Sequence, residues 1–326
     1  MRDEVIFSNA GTIKLRIHPN RKSAGEAAAR AAADELQRLA KLGKNIAVIF
    51  ATGASQFDTL GALTSLPGLP WDRVVGFHLD EYVGLDENHP ASFRRYLREK
   101  LTSLVPMRKF HEIDGMAGDL DAVRREYVTA LHAANPQLCL LGIGENGHLA
   151  FNDPAEADFN DPEAMKVVTL DRQCREQQAA EGWFPGWEEV PQRALTLTIP
   201  TLFRVPKLIV SVPGKRKAEA VRRTLYDPIT TGWPSTLLRT HPDVTIYLDT
   251  DSAAELKGVS LRSYPTWRAA GGSCDAGERH RGNRSPDVCE TRGGCNAGRR
   301  DGCAIVCACA GGERSHPPGT IGLRRP

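Results

Sequence analysis

Between residues 20 and 256, short apolar runs of strand length alternate with stretches whose apolar positions recur at helical spacing. Residues 22–42, KSAGEAAARAAADELQRLAKL, are rich in Ala, Leu and Glu, and Gly43 follows as a stop signal, so a helix is expected there. The run NIAVIFAT is short, apolar and β-branched, and it leads through Gly53 into a second helical stretch from about Gln56. VVGFHLDEYV (74–83) reads as a strand, and LHAANPQLCLLGIG (131–144) ends in a buried strand at 138–143. RALTLTI (193–199), KLIVSVPG (207–214) and VTIYLD (244–249) add three more, with the helical segment KRKAEAVRRTL (215–225) between the last two. This alternation predicts an α/β fold, a Rossmann-like, mostly parallel sheet with helices on both faces. Ligands of such sheets sit at the carboxyl ends of the strands, and the chemistry is sought there.

Beyond about residue 257 the pattern stops. The segment 257–326 is rich in Gly, Arg, Cys, Pro and Ser and has almost no apolar periodicity. Such a composition buries too little surface to offset its ordering entropy, so a low-complexity, disordered tail is expected after a domain spanning 1–256. Six of the eight cysteines fall in it, at 274, 289, 295, 303, 307 and 309. Their spacing makes no pair of CxxC motifs, so no metal site is expected from them. Cys139 and Cys174 alone lie in the body, which fits a reduced compartment.

The formal net charge of +2 hides a basic tail and a mildly acidic body. No basic face remains to bind nucleic acid. No apolar run reaches 18 residues, which argues against a membrane span. The N-terminus, MRDEVIFSNAGTIKLRIHPN, has early acids and no apolar core of a signal peptide, so a cytoplasmic location is expected. A homo-oligomer is left open.

Four segments carry candidate chemistry. Ala51-Thr52-Gly53-Ala54-Ser55 follows one strand and opens a helix. Its backbone N–H groups and the helix dipole suit a phosphate, although it lacks the Lys of a P-loop; alone, it is equally a plain turn with Ser55 as N-cap. In His78-Leu79-Asp80-Glu81-Tyr82, strand alternation points Asp80 and Glu81 to opposite faces, so the two acids need different jobs. An acid at a strand's carboxyl end, beside apolar walls, is a candidate proton-transfer base; the bland alternative is a charged pair at a loop entry. Gly142-Ile143-Gly144-Glu145-Asn146-Gly147-His148, running on to Asp153, displays a histidine after a Gly-rich turn, with a carboxylate five residues later that can orient it. Lastly, Gly214-Lys215-Arg216-Lys217 brings cations to the end of a strand; Lys217 is the candidate phosphate contact, Lys215 and Arg216 read as solvated.

Taken in order, FHLDEYVGL–ENHPASF, LLGIGENGHLAFNDP, ALTLTIPTL and PGKRKAEAV resemble the glucosamine-6-phosphate deaminase family over roughly residues 20–256. The resemblance implies an aldose–ketose isomerisation with loss of ammonia, from glucosamine 6-phosphate to fructose 6-phosphate. It implies Asp80 as the base that moves a proton between C2 and C1, His148 as the ring-opening residue, and Asp153 as its support. It implies phosphate contacts from Gly53, Ser55 and Lys217, with Arg175 the best match for a further phosphate-binding arginine. Asn146 stands where many members carry Asp; it can hydrogen-bond a substrate hydroxyl but cannot ionise. No metal and no organic cofactor is implied, because the substrate carbonyl itself is the electron sink. The segment Glu181–Glu189, with Trp183 and Trp187, is either a cover over the site or surface packing. Two other readings compete: a 6-phosphogluconolactonase-like hydrolase, which usually has DER in place of DEY, and a sugar-phosphate-sensing regulator domain, which needs an attached helix-turn-helix.

Overall fold

Eight strands form the main sheet of the computed structural model, which describes residues 2–8, 11–43 and 46–256. The chain opens with a hairpin of β1 (Arg2–Ser8) and β2 (Gly11–His18), then α1 (Arg21–Lys41) leads to β3 (Ile46–Phe50). After α2 (Phe57–Ser65) come β4 (Val74–His78), β5 (Asp80–Tyr82), α3 (Phe93–Leu97) and β6 (Lys109–His111). The helix α4 (Leu120–Ala134) precedes β7 (Leu138–Leu141); β8 (Met165–Thr169), α5 (Arg172–Ala180) and β9 (Arg193–Leu197) follow. The chain then runs through α6 (Ile199–Phe203), β10 (Lys207–Val212), α7 (Ala218–Tyr226) and β11 (Val244–Asp249). The strand order is β1-β2-β11-β10-β7-β3-β4-β6, and every pairing in it is parallel except β1 with β2. This is the mostly parallel α/β sheet that the alternation of runs predicts.

Burial on both faces explains why these strands read as continuous apolar runs. Along β3, Ile46, Val48 and Phe50 pack into one core beneath α1 and α2. Ala47 and Ile49 point the other way, into a second core with Tyr127 and Leu131 of α4 and Ala220, Val221 and Leu225 of α7. The helix α1 starts at a capping box: the Asn20 side chain accepts from the Ser23 amide at 2.9 Å, satisfying an otherwise open donor. Its buried face is mostly alanine, which lets α2 approach closely. Gly25 marks the tightest point, since a Cβ there would stand 2.4 Å from Asp58 Cβ and 2.8 Å from the Asp58 backbone carbon. Gly25→Ala is therefore expected to destabilise the fold by about 1–3 kcal/mol, because overpacking against backbone outweighs the roughly 1 kcal/mol gain in helix propensity. Thermal or urea unfolding checks it; a more stable variant would refute the close-approach argument.

Two expected strands turn out differently. The run 74–83 is not one strand: Leu79 separates β4 from β5, and β5 joins a second, three-stranded antiparallel sheet in the order β5-β9-β8. The Leu79 carbonyl accepts from the Leu197 amide at 2.8 Å, which draws the chain out of the main sheet at that residue. The run 193–199 likewise supplies β9 to the small sheet rather than a parallel strand, and Ile199 already begins α6. Among the elements beyond the expected set are α3, β6, α4, β8, α5 and α6. The expected tail, 257–326, with its cysteines, lies outside the described residues.

Candidate active site

The carboxyl ends of four strands, adjacent in the order β10-β7-β3-β4, surround one pocket of about 280 Å³. From β3 comes the loop Ala51–Ser55, in which Gly53 takes φ +86°, a conformation glycine adopts without a Cβ penalty. In the helical segment that follows, the Gln56 amide donates to the Gly53 carbonyl at 3.1 Å, and the N–H groups ahead of it are those that a helix start leaves open. Ser55 makes no capping bond; its Oγ accepts from Gln56 Nε2 at 3.1 Å and lines the pocket. Gln56 also donates to the Leu141 carbonyl at 3.3 Å, tying this loop to β7.

From β4 the chain passes through Leu79 to Asp80, which lines the pocket although only 5% of its surface is exposed. Burial, and secondarily the neighbouring Glu81, raises the Asp80 carboxyl well above the usual carboxylate range. Glu81 points away, as alternation requires. It accepts from Ser92 Oγ at 3.1 Å and from the amides of Phe93 at 3.2 Å and Arg94 at 2.9 Å. Burial raises Glu81 as well, but those bonds and that from its own neighbour Tyr82 oppose it. The adjacent acids thus have separate surroundings: one faces the cavity, the other anchors the start of α3. His78, fully buried, accepts from the Ile113 amide at 2.7 Å and is pushed down to about 3 by burial and then by Arg94, so it is a neutral structural group.

From β7 comes the Gly-rich turn that presents His148. A Cβ on Gly144 would stand 2.3 Å from the His148 ring, so only glycine lets the imidazole lie across this turn. His148 Nδ1 lies 2.9 Å from Asp153 Oδ1. Against burial, which by itself would raise it, Asp153 is held below its ordinary value by the neighbouring His148, by the hydrogen bond from Asn146 and by the nearby Cys174 side chain. The Cys174 thiol is itself pushed up, first by burial and then by Asp153. With Nδ1 facing the carboxylate, Nε2 is the nitrogen left for a substrate. Ala150 beside it holds φ +51°, an uncommon conformation for a residue with a Cβ, and lines the same pocket.

From β10 comes Pro213–Lys217, with Gly214 at φ +95° and its amide held by both Asp249 carboxylate oxygens at 3.0 and 3.1 Å. Lys217 is half-buried, and burial lowers its ammonium pKa while Glu181 and Glu145 oppose that. Arg216 is exposed and pairs with Glu145 at 3.2 Å.

Of the residues expected at the site, Gly53, Ser55, Asp80, His148 and Lys217 line the pocket together. Asp153 is buried behind His148. Asn146 is not in the wall: its Nδ2 donates to Asp153 Oδ1 at 3.0 Å and its Oδ1 accepts from the His148 amide at 3.1 Å. It braces the His–Asp pair instead of offering itself to a substrate hydroxyl. Arg175 is also elsewhere, with its guanidinium donating to the carbonyls of Val190 at 3.0 Å and Glu188 at 3.1 Å and stacked on Trp187. These partners hold it away from the cavity, which corrects the expected phosphate contact. The pocket-lining arginines are Arg216 and Arg21, and Arg21 donates to the Ala54 carbonyl at 2.8 Å and to Asp58 at 2.7 Å. Gln177, Gln178 and Glu181 of the α5 region also face the cavity. Of the segment 181–189 only Glu181 does so; Trp183 packs on Phe57 and Tyr96, and Trp187 on Arg172 and Arg175.

An open α/β sheet with a carboxylate, a histidine–aspartate pair, a Gly-containing strand-to-helix turn and a lysine around one pocket at its carboxyl edge defines the class. Residues 19–247 match the model of the family described as Glucosamine-6-phosphate isomerases/6-phosphogluconolactonase, and the chain belongs to that family. Its relatives include a glucosamine-6-phosphate deaminase of Thermoanaerobacter pseudethanolicus, 31% identical over 73% of this chain and 94% of the relative. Another, from Exiguobacterium sp., is 37% identical over 57% of this chain and 71% of its own. Among solved structures, a monomeric glucosamine-6-phosphate deaminase superposes with a TM-score of 0.66 at 31% identity, covering 74% of this chain and 98% of that one. The 6-phosphogluconolactonase of Trypanosoma brucei shares the fold, with a TM-score of 0.62 at 18% identity over 74% of this chain and 98% of its own. Among the described residues, no helix is long and apolar enough to cross a membrane.

Proposed function

We propose that the chain converts glucosamine 6-phosphate to fructose 6-phosphate and ammonia. The observation that carries this reading is the meeting of Asp80, His148 and the Gly53–Ser55 loop with Lys217 in one pocket. In this reading, His148 Nε2 moves a proton between the C1 hydroxyl and the ring oxygen, which opens the sugar to its aldehyde. The new carbonyl acidifies the C2 proton. Asp80 takes that proton and returns it to C1, which leaves an imine at C2; water adds there and the C2–N bond breaks, so the ketone forms as ammonia is released. Phosphate sits on the N–H groups of the Gly53–Ser55 loop and on Lys217. The working domain is 1–256, and the setting is cytoplasmic.

The direct test is formation of fructose 6-phosphate and ammonia from glucosamine 6-phosphate by the full-length protein. Hydrolysis of a 6-phosphogluconolactone without ammonia release would instead favour the lactonase reading. Lys217→Ala is expected to raise KM about 10–100-fold, since a charge-assisted contact contributes roughly 1.5–3 kcal/mol. Steady-state kinetics check this, and an unchanged KM would remove Lys217 from the phosphate site.

A further inference from the structure

The end of the pocket formed by Gly53, Ser55 and Lys217 carries an anion of its own. Glu181 caps the C-terminus of α5, and its Oε2 lies 3.7 Å from where a Cβ on Gly53 would stand. Gln177 Nε2 donates to Glu181 Oε1 at 3.0 Å, and Gln177 is in turn held by the Glu145 amide, which donates to its Oε1 at 2.9 Å. The carboxylate is therefore braced over the loop. Its field reaches the residues around it: it is the foremost group raising the Lys217 ammonium against burial, and after burial the foremost one raising Tyr96. Tyr96 belongs to the same corner, donating from its hydroxyl to the Gly53 carbonyl at 3.1 Å.

Carboxylate and phosphate are recognised by the same partners, open N–H groups and a lysine. Both cannot occupy this corner as anions without strong repulsion in a half-buried setting. We propose that Glu181 sets specificity at this end of the pocket: its carboxylate overhangs the Gly53 turn, on the way to Ser55 and Lys217, and a substrate phosphate enters by displacing it. The inference rests on the phosphate reading of those three residues. Its consequence is selection by attachment. A free small anion must compete alone against a tethered carboxylate, whereas a phosphate carried on a sugar also has the contacts of the rest of the pocket to help evict it.

Inorganic phosphate is the probe, titrated calorimetrically into full-length wild type, Glu181→Gln and the double variant Glu181→Gln/Lys217→Ala. Glutamine keeps the side-chain volume and the contact with Gln177, and unfolding curves verify that each variant is folded. Glu181→Gln is expected to bind inorganic phosphate about tenfold more tightly than wild type, a difference of about 1.4 kcal/mol. The double variant is expected to lose that gain. Phosphate binding in Glu181→Gln that equals or falls below wild type, with the double variant weaker still, overturns the displacement idea and leaves the phosphate reading standing. A gain that persists in the double variant also overturns it, because Lys217 is then no part of the phosphate site. If no variant changes phosphate binding, the phosphate reading fails and the proposal with it.

Discussion

Asp80→Asn is expected to lower turnover of glucosamine 6-phosphate by about 10³-fold or more, near the upper part of the range for losing a general base. The variant keeps the shape of the side chain and its place at the pocket wall, so binding should survive. A competitive analogue without a carbonyl, such as the corresponding open-chain alditol phosphate, should bind within a few-fold of wild type. The diagnostic measurement is proton exchange at C2. In wild type, solvent deuterium should enter C1 of the product, and in Asp80→Asn that incorporation should stop with turnover. Incorporation at the wild-type rate would sink the assignment of Asp80 as base.

The surroundings of Asp80 add a pH signature and a stability signature with a definite sign. Burial raises its carboxyl, with Glu81 adding to the effect, so the base form is lost as pH falls through a value above the usual carboxylate range. The acid limb of kcat/KM should therefore lie above the ordinary aspartate value of about 3.9. For stability the linkage runs the other way from a salt-bridged acid. A group whose folded pKa is raised holds its proton more tightly in the folded state. Its favourable contribution is present in full below the unfolded value and is lost as pH rises through the folded one. At pH 8, above the unfolded value, burying the Asp80 carboxyl costs stability that asparagine does not, whether it takes up a proton or is buried ionised, so Asp80→Asn should melt higher than wild type there. The gap should shrink towards pH 4. A variant that is dead and also less stable at pH 8 would contradict the burial argument.

The main sheet was legible because its strands are buried on both faces. IAVIF and KLIVSV can be little else between helical stretches, and their carboxyl ends point to the pocket without further information. The opposite orientations of Asp80 and Glu81 were legible for a similar reason, since a strand has period two. The break at Leu79 was not, because the apolar run continues across it and only the pairing with Leu197 moves the chain to the second sheet. The helix α4 carries a stripe of Leu120, Val123, Tyr127 and Leu131 and could have been read from spacing alone. α5 could not: DRQCREQQAAEG is polar, with only short buried stretches, and it is fixed by the Asp171 cap and by contacts from Gln177 and Gln178. That is also why the glutamines escaped notice as pocket residues, and why Glu181 came up only at the edge of a possible cover. Arg175 went the opposite way. An arginine in a polar helix looks available, and only the carbonyls of Glu188 and Val190 show that it is engaged.

His148→Gln is expected to lower kcat by about 10²–10³-fold with little change in KM, and to change which step limits the rate. Glutamine can hydrogen-bond in place of Nε2 but cannot carry a proton between the C1 hydroxyl and the ring oxygen. Ring opening should then be slow, while Asp80 still stands ready for the C2 proton. Substrate deuterated at C2 separates the two. If proton abstraction limits the wild-type rate at all, a primary isotope effect on kcat appears there and should shrink towards one in His148→Gln. An isotope effect that grew would place His148 in the C2 step and refute the ring-opening role. Asp153 offers the companion test, because its Oδ1 is 2.9 Å from His148 Nδ1 and also accepts from Asn146. A carboxylate there favours the tautomer with its proton on Nδ1 and leaves Nε2 free to accept. Asp153→Asn can instead donate to Nδ1, which puts the proton on the wrong nitrogen. It should reproduce most of the His148→Gln loss, and the double variant should be little worse than either single one, since the two residues act as one unit. Losses that multiply in the double variant would mean that Asp153 acts on the substrate independently of His148.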